Sequence, residues 1–259
     1  LCGIRKIIRV RNNLGYWMTN GHRRLGRWMG RLADLTLTNS ASGKQALIDK
    51  EGLHPEKIVV LENGVDLERF TNAVPPDPRR EGIRVGMVAN LRPVKNIDGL
   101  IRAAARLQDR HPLLRFEVAG EGEQRPELEQ MICGHGLAES FHLVGSVSDV
   151  PGFLARQDMA VLCSHSEGMS NALLEYMAAG RAIVATDVGA NARLSESARH
   201  GLIIPPGDDG ALADAMAWLI EHPDESKRLA AAARRKVECE YSREAMVKRF
   251  EKFYRELAS

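Results

Sequence analysis

Cysteine is scarce in this 259-residue chain: Cys2, Cys133, Cys163 and Cys239 are the full set of four, with no CxxC pair among them. Their spacing fits neither a disulfide framework nor a zinc site, so reduced thiols in a cytosolic setting are expected. Cys163 and His165 share one loop, and two such groups alone do not make a metal site. Long apolar runs are missing as well. No stretch approaches the ~20 residues that span a bilayer, and no signal peptide is visible. Net charge is only +2, which says little about partners. The chain has no nucleophile elbow, no ordered Ser/His/Asp set and no acidic DxD pair after a strand, so neither a metal nor a cofactor is expected. "VAGEGEQ" (Val118 to Gln124) lacks the third glycine of a dinucleotide fingerprint, which leaves hydride transfer poorly supported.

Acids are absent from the front of the chain until Asp34, while Arg5, Lys6, Arg9, Arg11, Arg23, Arg24, Arg27 and Arg31 precede it. Trp17, Met18, Trp28 and Met29 are interleaved with them. Two readings fit. One is a basic, partly apolar surface for anionic lipid or a phosphorylated acceptor. The other is a solvated basic helix, or one paired with acids from a neighbouring domain. No nucleic-acid-binding motif accompanies the charge, so nucleic acid is not expected.

What remains is an ordinary globular composition, 44% hydrophobic and 27% charged, ample for a buried core in one large or two modest domains. Strand signals at Lys6 to Arg11, Leu35 to Thr38 and Lys57 to Leu61 alternate with helices at Gly21 to Ala33 and Ser42 to Lys50, Ser40 being the expected N-cap. The stretch "TNAVPPDPRREG" (Thr71 to Gly82) carries Pro75, Pro76 and Pro78 and reads as a linker. Beyond it, strands and helices alternate to Ile204, and three helices close the chain. That order predicts an α/β fold with a doubly wound, mostly parallel sheet. Ligands bind beyond the carboxyl ends of such strands. The informative loops are therefore 90–96, 120–123, 145–149, 164–171 and 187–191.

One of these loops is "SEGMSNALLE" (Ser166 to Glu175). A strand ends before it, and a helix begins near Ser170 or Asn171. The first amides of a helix are unpaired and carry about half a positive charge, which suits a phosphate. Gly168 would let a ligand approach the backbone. Glu175, about one turn into the helix, is placed to accept from paired hydroxyls such as those of a ribose, and Glu167 faces another part of the same ligand. The same spacing also fits a surface helix with two solvated carboxylates. In "VANLRPVKN" (Val88 to Asn96), Arg92 and Lys95 follow a strand closely enough to neutralise a diphosphate, or simply to be solvated.

Together these motifs resemble a known family. "SEGMSNALLEYMAAGRAIVATDVGANARL" (Ser166 to Leu194) is similar to the signature of the retaining GT-B glycosyltransferases of glycosyltransferase family 4, or group 1. "VANLRPVKN", "AGEGEQRPELE", "HLVGSVSDVPGFLARQDMAVLCS", "GLIIPPGDDGALADAM" and "NSASGKQALIDKEGLHPEKIVVLENGVDLERF" also resemble family segments. The resemblance covers nearly the whole chain. It implies a GT-B architecture: a partial N-terminal Rossmann-like domain over 1–75, a donor-binding Rossmann-like domain over 76–241, and a terminal helix over 242–259 that packs back on the first domain. It implies transfer of a sugar from a UDP-, GDP- or ADP-sugar to a carbohydrate or lipid-linked acceptor, in the cytoplasm or at the inner face of the membrane.

Residue by residue, the resemblance gives Glu167 the transferred sugar and Glu175 the ribose hydroxyls. Lys95 takes the diphosphate, and with Glu167 forms the catalytic pair. Gly168, Met169, Ser170 and Asn171 supply the helix start. Gly145 and Val147 lie near the base, and Glu121 falls on the donor side. Asn90 stands where the family often has arginine, and Arg92 is the candidate substitute. Arg193, Arg181 and Ala182 also depart from the family pattern. Because only the last part of the first domain is matched, the resemblance implies a chain truncated on its acceptor side. The alternatives are a nucleotide-sugar-binding half without activity of its own, or another GT-B enzyme such as a sugar-nucleotide epimerase or a phosphorylase.

Overall fold

The computed structural model describes residues 6–12, 14–15, 18–71 and 81–258. Arg5, Trp17, Cys2 and most of the expected linker lie outside the described residues.

Two parallel sheets organise the chain. The first has three strands in the order β1-β2-β3, β1 (Ile8–Val10), β2 (Leu35–Thr38) and β3 (Ile58–Val60), with α1 (Asn20–Leu32) and α2 (Ala41–Glu51) between them. Ser40 caps α2, its hydroxyl accepting from the Gly43 amide at 3.0 Å. The strand expected from Lys57 starts one residue later, because Pro55–Lys57 forms a 3-10 turn. Pro55 opens that turn with the φ it requires.

The second sheet is six-stranded: β4 (Arg84–Val88), β5 (Arg115–Ala119), β6 (Phe141–Gly145), β7 (Met159–Leu162), β8 (Ala182–Thr186) and β9 (Leu202–Ile204). Their spatial order is β6-β5-β4-β7-β8-β9, and every pairing is parallel. The helices are α3 (Ile97–Leu107), α4 (Arg125–Gly134), α5 (Val150–Ala155), α6 (Asn171–Ala178), α7 (Asn191–Ser195), α8 (Asp209–Glu221), α9 (Pro223–Glu240) and α10 (Arg243–Ala258). Separate cores cover the two faces of the sheet. Ile101, Leu107, Leu128 and Met216 pack on one, and Leu154, Leu173, Met177 and Val237 on the other. This is the doubly wound arrangement expected from the alternation. The helix α7 was not expected, since five residues are too few to show a helical period.

Strand order reverses between β4 and β7, so a crevice opens there at the carboxyl edge. The two strands pair only at Val85 with Met159 and Gly86 with Ala160, then diverge. The buried Tyr176 hydroxyl fills the gap by accepting from the Val88 amide at 2.7 Å. It thereby ties α6 to the end of β4 and fixes the crevice wall.

The basic front is partly paired. Arg9 and Arg11 each meet the buried Glu51 carboxylate at 2.7 Å, within the same half of the chain. On α1 the residues Leu25, Trp28, Met29 and Leu32 form a solvent-facing stripe. The start of α10 rejoins the first half: the Val65 amide donates to Tyr241 O at 2.8 Å, the Arg243 amide donates to Val65 O at 2.9 Å, and Arg249 reaches the carbonyls of Glu62 and Asn63.

Candidate active site

A cleft of about 540 Å³ lies where the carboxyl edges of both sheets face each other. The ends of β4 (Val88) and β5 (Ala119) line it with the segments that follow β4 (Ala89, Asn90, Lys95), β5 (Gly120) and β6 (Ser146, Val147, Val150), together with the loop after β7 and the start of α6.

The centre of the cleft is an ion pair. Lys95 ends a 3-10 turn, Pro93–Lys95, that carries its side chain back over the end of β4. Its Nζ donates to Glu167 Oε1 at 2.6 Å, and Ser164 Oγ donates to the same oxygen at 2.7 Å. Beside the pair, α6 opens with Ser170 as its N-cap, the hydroxyl accepting from the Leu173 amide at 3.4 Å. Ser170, Asn171 and Ala172 line the cleft, so the positive end of the helix faces its interior. Lysine, helix start and two carboxylates thus stand around one space.

Glu175 lines the same cleft from within α6. It is half-buried, and desolvation pushes its carboxyl above the usual 4.5, with the Arg69 charge pulling the other way. A raised folded-state value favours the folded chain below the unfolded value, and this contribution is lost as pH rises through the folded value. Ionised Glu175 is therefore a burden at neutral pH. Glu175→Gln is expected to raise the melting temperature of the ligand-free chain at pH 7, and the gain should vanish below pH 4.5, which a pH series of thermal melts will read.

Of the residues singled out in the sequence, the cleft brings together Asn90, Lys95, Val147, Glu167, Met169, Ser170, Asn171 and Glu175. Arg92 and Gly168 line an adjoining hollow of about 170 Å³ that shares Asn90, Lys95, Glu167 and Met169 with the cleft. Glu121 and Gly145 do not line either. Glu121 is held by Arg125 through bonds of 2.8 and 2.9 Å, which keeps its carboxyl below the ordinary range. Gly145 accepts from the Gly120 amide at 2.8 Å and so supports the rim from behind.

Gly168 also has a packing reason to be glycine. A Cβ there would lie 2.8 Å from Asn12 O and 3.1 Å from Asn39 Oδ1, so the first half of the chain approaches it closely. The loop 187–191 does not line the cleft but backs it. Gly189, at φ +61, presses so closely that a Cβ would sit 2.2 Å from Glu167 O, and the Ala190 amide donates to Gly168 O at 2.9 Å. Arg193 turns away, bonding Glu62 and the Tyr241 hydroxyl.

The opposite wall was not anticipated. Asn12 follows β1, Asn39 follows β2 and Asn63 follows β3, and all three line the cleft. Asn39 is buried with no partner for its Oδ1, and Asn63 Nδ2 donates to Asn171 Oδ1 at 2.7 Å. The signal was positional: each asparagine lies within three residues of a strand's carboxyl end. Among the described residues no group of three or more metal-ligating side chains is gathered.

Known proteins match this arrangement. The family described as "Glycosyl transferases group 1" matches residues 71–236, and "Glycosyltransferase Family 4" matches residues 9–69. Glycogen synthase of Mycobacterium tuberculosis is 29% identical over 216 residues, 83% of this chain and 52% of that protein. Alpha-D-kanosaminyltransferase of Streptomyces kanamyceticus is 32% identical over 165 residues, 63% of this chain and 43% of that one. The chain thus spans about half the length of these relatives. The crystal structure of Anabaena HepE in complex with UDP and glucose superposes with a TM-score of 0.88 at 22% identity, covering 98% of this chain and 72% of that one. The two matched segments run through both sheets and every loop that lines the cleft, and the chain belongs to the glycosyl transferases group 1 family, with the GT-B fold.

Proposed function

We propose that the cleft binds a nucleoside diphosphate sugar and that the chain serves transfer of that sugar to an acceptor hydroxyl with retained anomeric configuration. The observation that carries this reading is the Lys95–Glu167 pair at the open end of α6, with Glu175 one turn deeper. Lys95, Arg92 and the first-turn amides supply positive charge where the diphosphate leaves. Glu175 accepts from the ribose hydroxyls, and Glu167 positions the transferred sugar. In the reaction the bond from the anomeric carbon to the diphosphate oxygen breaks with its electron pair going to that oxygen, a bond to the acceptor oxygen forms on the same face, and the hydroxyl proton passes to the departing diphosphate. The complexes of HepE with UDP and glucose support a UDP-sugar as first candidate donor.

The test is a thermal-shift panel of UDP-, GDP- and ADP-sugars on the wild type and on Glu175→Gln. Loss of an ionised acceptor should weaken whichever donor binds by roughly 1–3 kcal/mol. Shifts unchanged by the substitution would remove Glu175 from the site.

A second reading is favoured by coverage of about half of the relatives' length: a donor-binding half that transfers only alongside further protein. Turnover of a donor and a simple glycoside acceptor by this chain alone would exclude it.

The acceptor we propose is a carbohydrate, free or lipid-linked, met on the cytoplasmic side of a membrane. The support is α1, whose stripe of Leu25, Trp28, Met29 and Leu32 is flanked by Arg24, Arg27 and Arg31. No helix among the described residues is long and apolar enough to cross a membrane, so contact would be peripheral. Co-sedimentation with phosphatidylglycerol vesicles should drop at least several-fold in Trp28→Ser/Met29→Ser and stay near zero with phosphatidylcholine vesicles. Equal binding to both would refute an electrostatic contact.

A further inference from the structure

We propose that Glu167 selects the intact nucleotide sugar over the spent nucleoside diphosphate, so that the site releases its own product. The inference rests on the donor-binding reading above and adds a property which that reading does not contain.

In the ligand-free chain the ammonium of Lys95 is already balanced by a carboxylate at 2.6 Å. Both side chains are largely withdrawn from water, with 22% and 12% of their surface exposed, so the attraction between them is weakly screened. An incoming diphosphate must take Lys95 from this partner. It must also lie beside the carboxylate it has displaced, and two anions at close range repel.

Glu167 cannot simply swing away. Ser164 Oγ holds the same Oε1 at 2.7 Å. Behind it, Gly189 packs against the Glu167 carbonyl, and the Ala190 amide holds the Gly168 carbonyl at 2.9 Å. The carboxylate therefore stays at the cleft and needs hydrogen-bond donors from whatever enters.

An intact donor brings them. Its sugar carries hydroxyls, and a hydroxyl donating to an ionised carboxylate makes a strong bond. A nucleoside diphosphate without its sugar offers only acceptor oxygens to that corner. The carboxylate is then left next to phosphate with no replacement for Lys95. Glu167 is matched by the donor and mismatched by the product.

The experiment is calorimetric titration of the wild type, Glu167→Gln and Ser164→Ala with three pairs of probes: UDP and UDP-glucose, GDP and GDP-mannose, ADP and ADP-glucose. For the base that binds, the wild type should prefer the sugar nucleotide. Glu167→Gln should bind the bare diphosphate about 10-fold tighter than the wild type, while the sugar nucleotide gains nothing or loses affinity, so the preference collapses or inverts. Ser164→Ala, which frees the carboxylate to turn aside, should shift the preference in the same direction by a smaller factor, and it carries the test if the glutamine variant does not fold. Bare-diphosphate affinity that is unchanged or lower in both variants overturns the proposal and makes the pair a purely structural tie. Absence of binding by any nucleotide to the wild type would instead overturn the donor-binding reading, and this inference with it.

Discussion

Lys95→Ala is expected to weaken binding of the preferred nucleotide sugar about 100-fold, roughly 2.7 kcal/mol. Two losses combine. The cation nearest the proposed diphosphate disappears, and Glu167, with 12% of its side chain exposed, loses its partner while remaining fixed by Ser164. Breaking a largely buried pair from one side costs more than the pair contributes, because a charge is left uncompensated. The same logic sets the control. In Lys95→Ala/Glu167→Gln no stranded carboxylate faces the phosphates, so for the bare diphosphate about 10-fold of the lost affinity should return. Titration of the two single variants and the double variant measures this coupling directly. If the double variant loses the sum of both single effects, Lys95 and Glu167 act independently, and the paired geometry at 2.6 Å has no bearing on binding.

The second large effect concerns stability. Glu51 ends α2 with 2% of its side chain exposed, and it receives Arg9 and Arg11 at 2.7 Å each. Arg9 also donates to Gly26 O at 2.9 Å, and Arg27 Nε donates to the Glu51 carbonyl at 3.1 Å. Glu51, through its carboxylate, its carbonyl and Arg9, thus joins β1, α1 and α2. Among the described residues the apolar cluster of this half is small: Leu47, Leu53 and Ile58, with Ile48 against it. Glu51→Ala should cost about 3–5 kcal/mol, the range for removing one side of a buried pair. Hydrogen exchange should show the loss in residues 6–71, with the six-stranded sheet retaining its protection. The exposed pair Arg234–Glu238 is the comparison: Glu238→Ala should change stability by no more than about 0.5 kcal/mol. Uniform loss of protection across both sheets would mean that the two halves unfold as one unit.

The half of the site that surrounds α6 was legible in the sequence because its parts keep fixed spacings. A strand, a short loop and a helix with an N-capping serine place Glu167, Ser170 and Glu175 by local geometry alone. Lys95 was legible for the same reason, as a basic residue just past a buried strand. The wall made of Asn12, Asn39 and Asn63 was not. Each residue belongs to a different strand, and their meeting depends on the packing of β1, β2 and β3 side by side and on the approach of the two halves. Glu121 shows the converse. Its glycine-flanked position after a strand resembled a ligand loop, but Arg125, four residues on, captures it. An i,i+4 pair of this kind holds a carboxylate against its own helix start, away from a cleft. The approach of Asn12 and Asn39 to Gly168 depends on tertiary packing that no local pattern shows. The linker prolines lie outside the described residues.

The two walls of the cleft differ in chemistry: lysine, carboxylates and a helix dipole on one side, uncharged amides on the other. Mobile ions weaken attraction between charges but leave a bond between an amide and a hydroxyl nearly untouched. Salt therefore acts on one face only. Raising ionic strength weakens the long-range pull of an anion toward the charged wall and spares what sits against Asn12, Asn39 and Asn63.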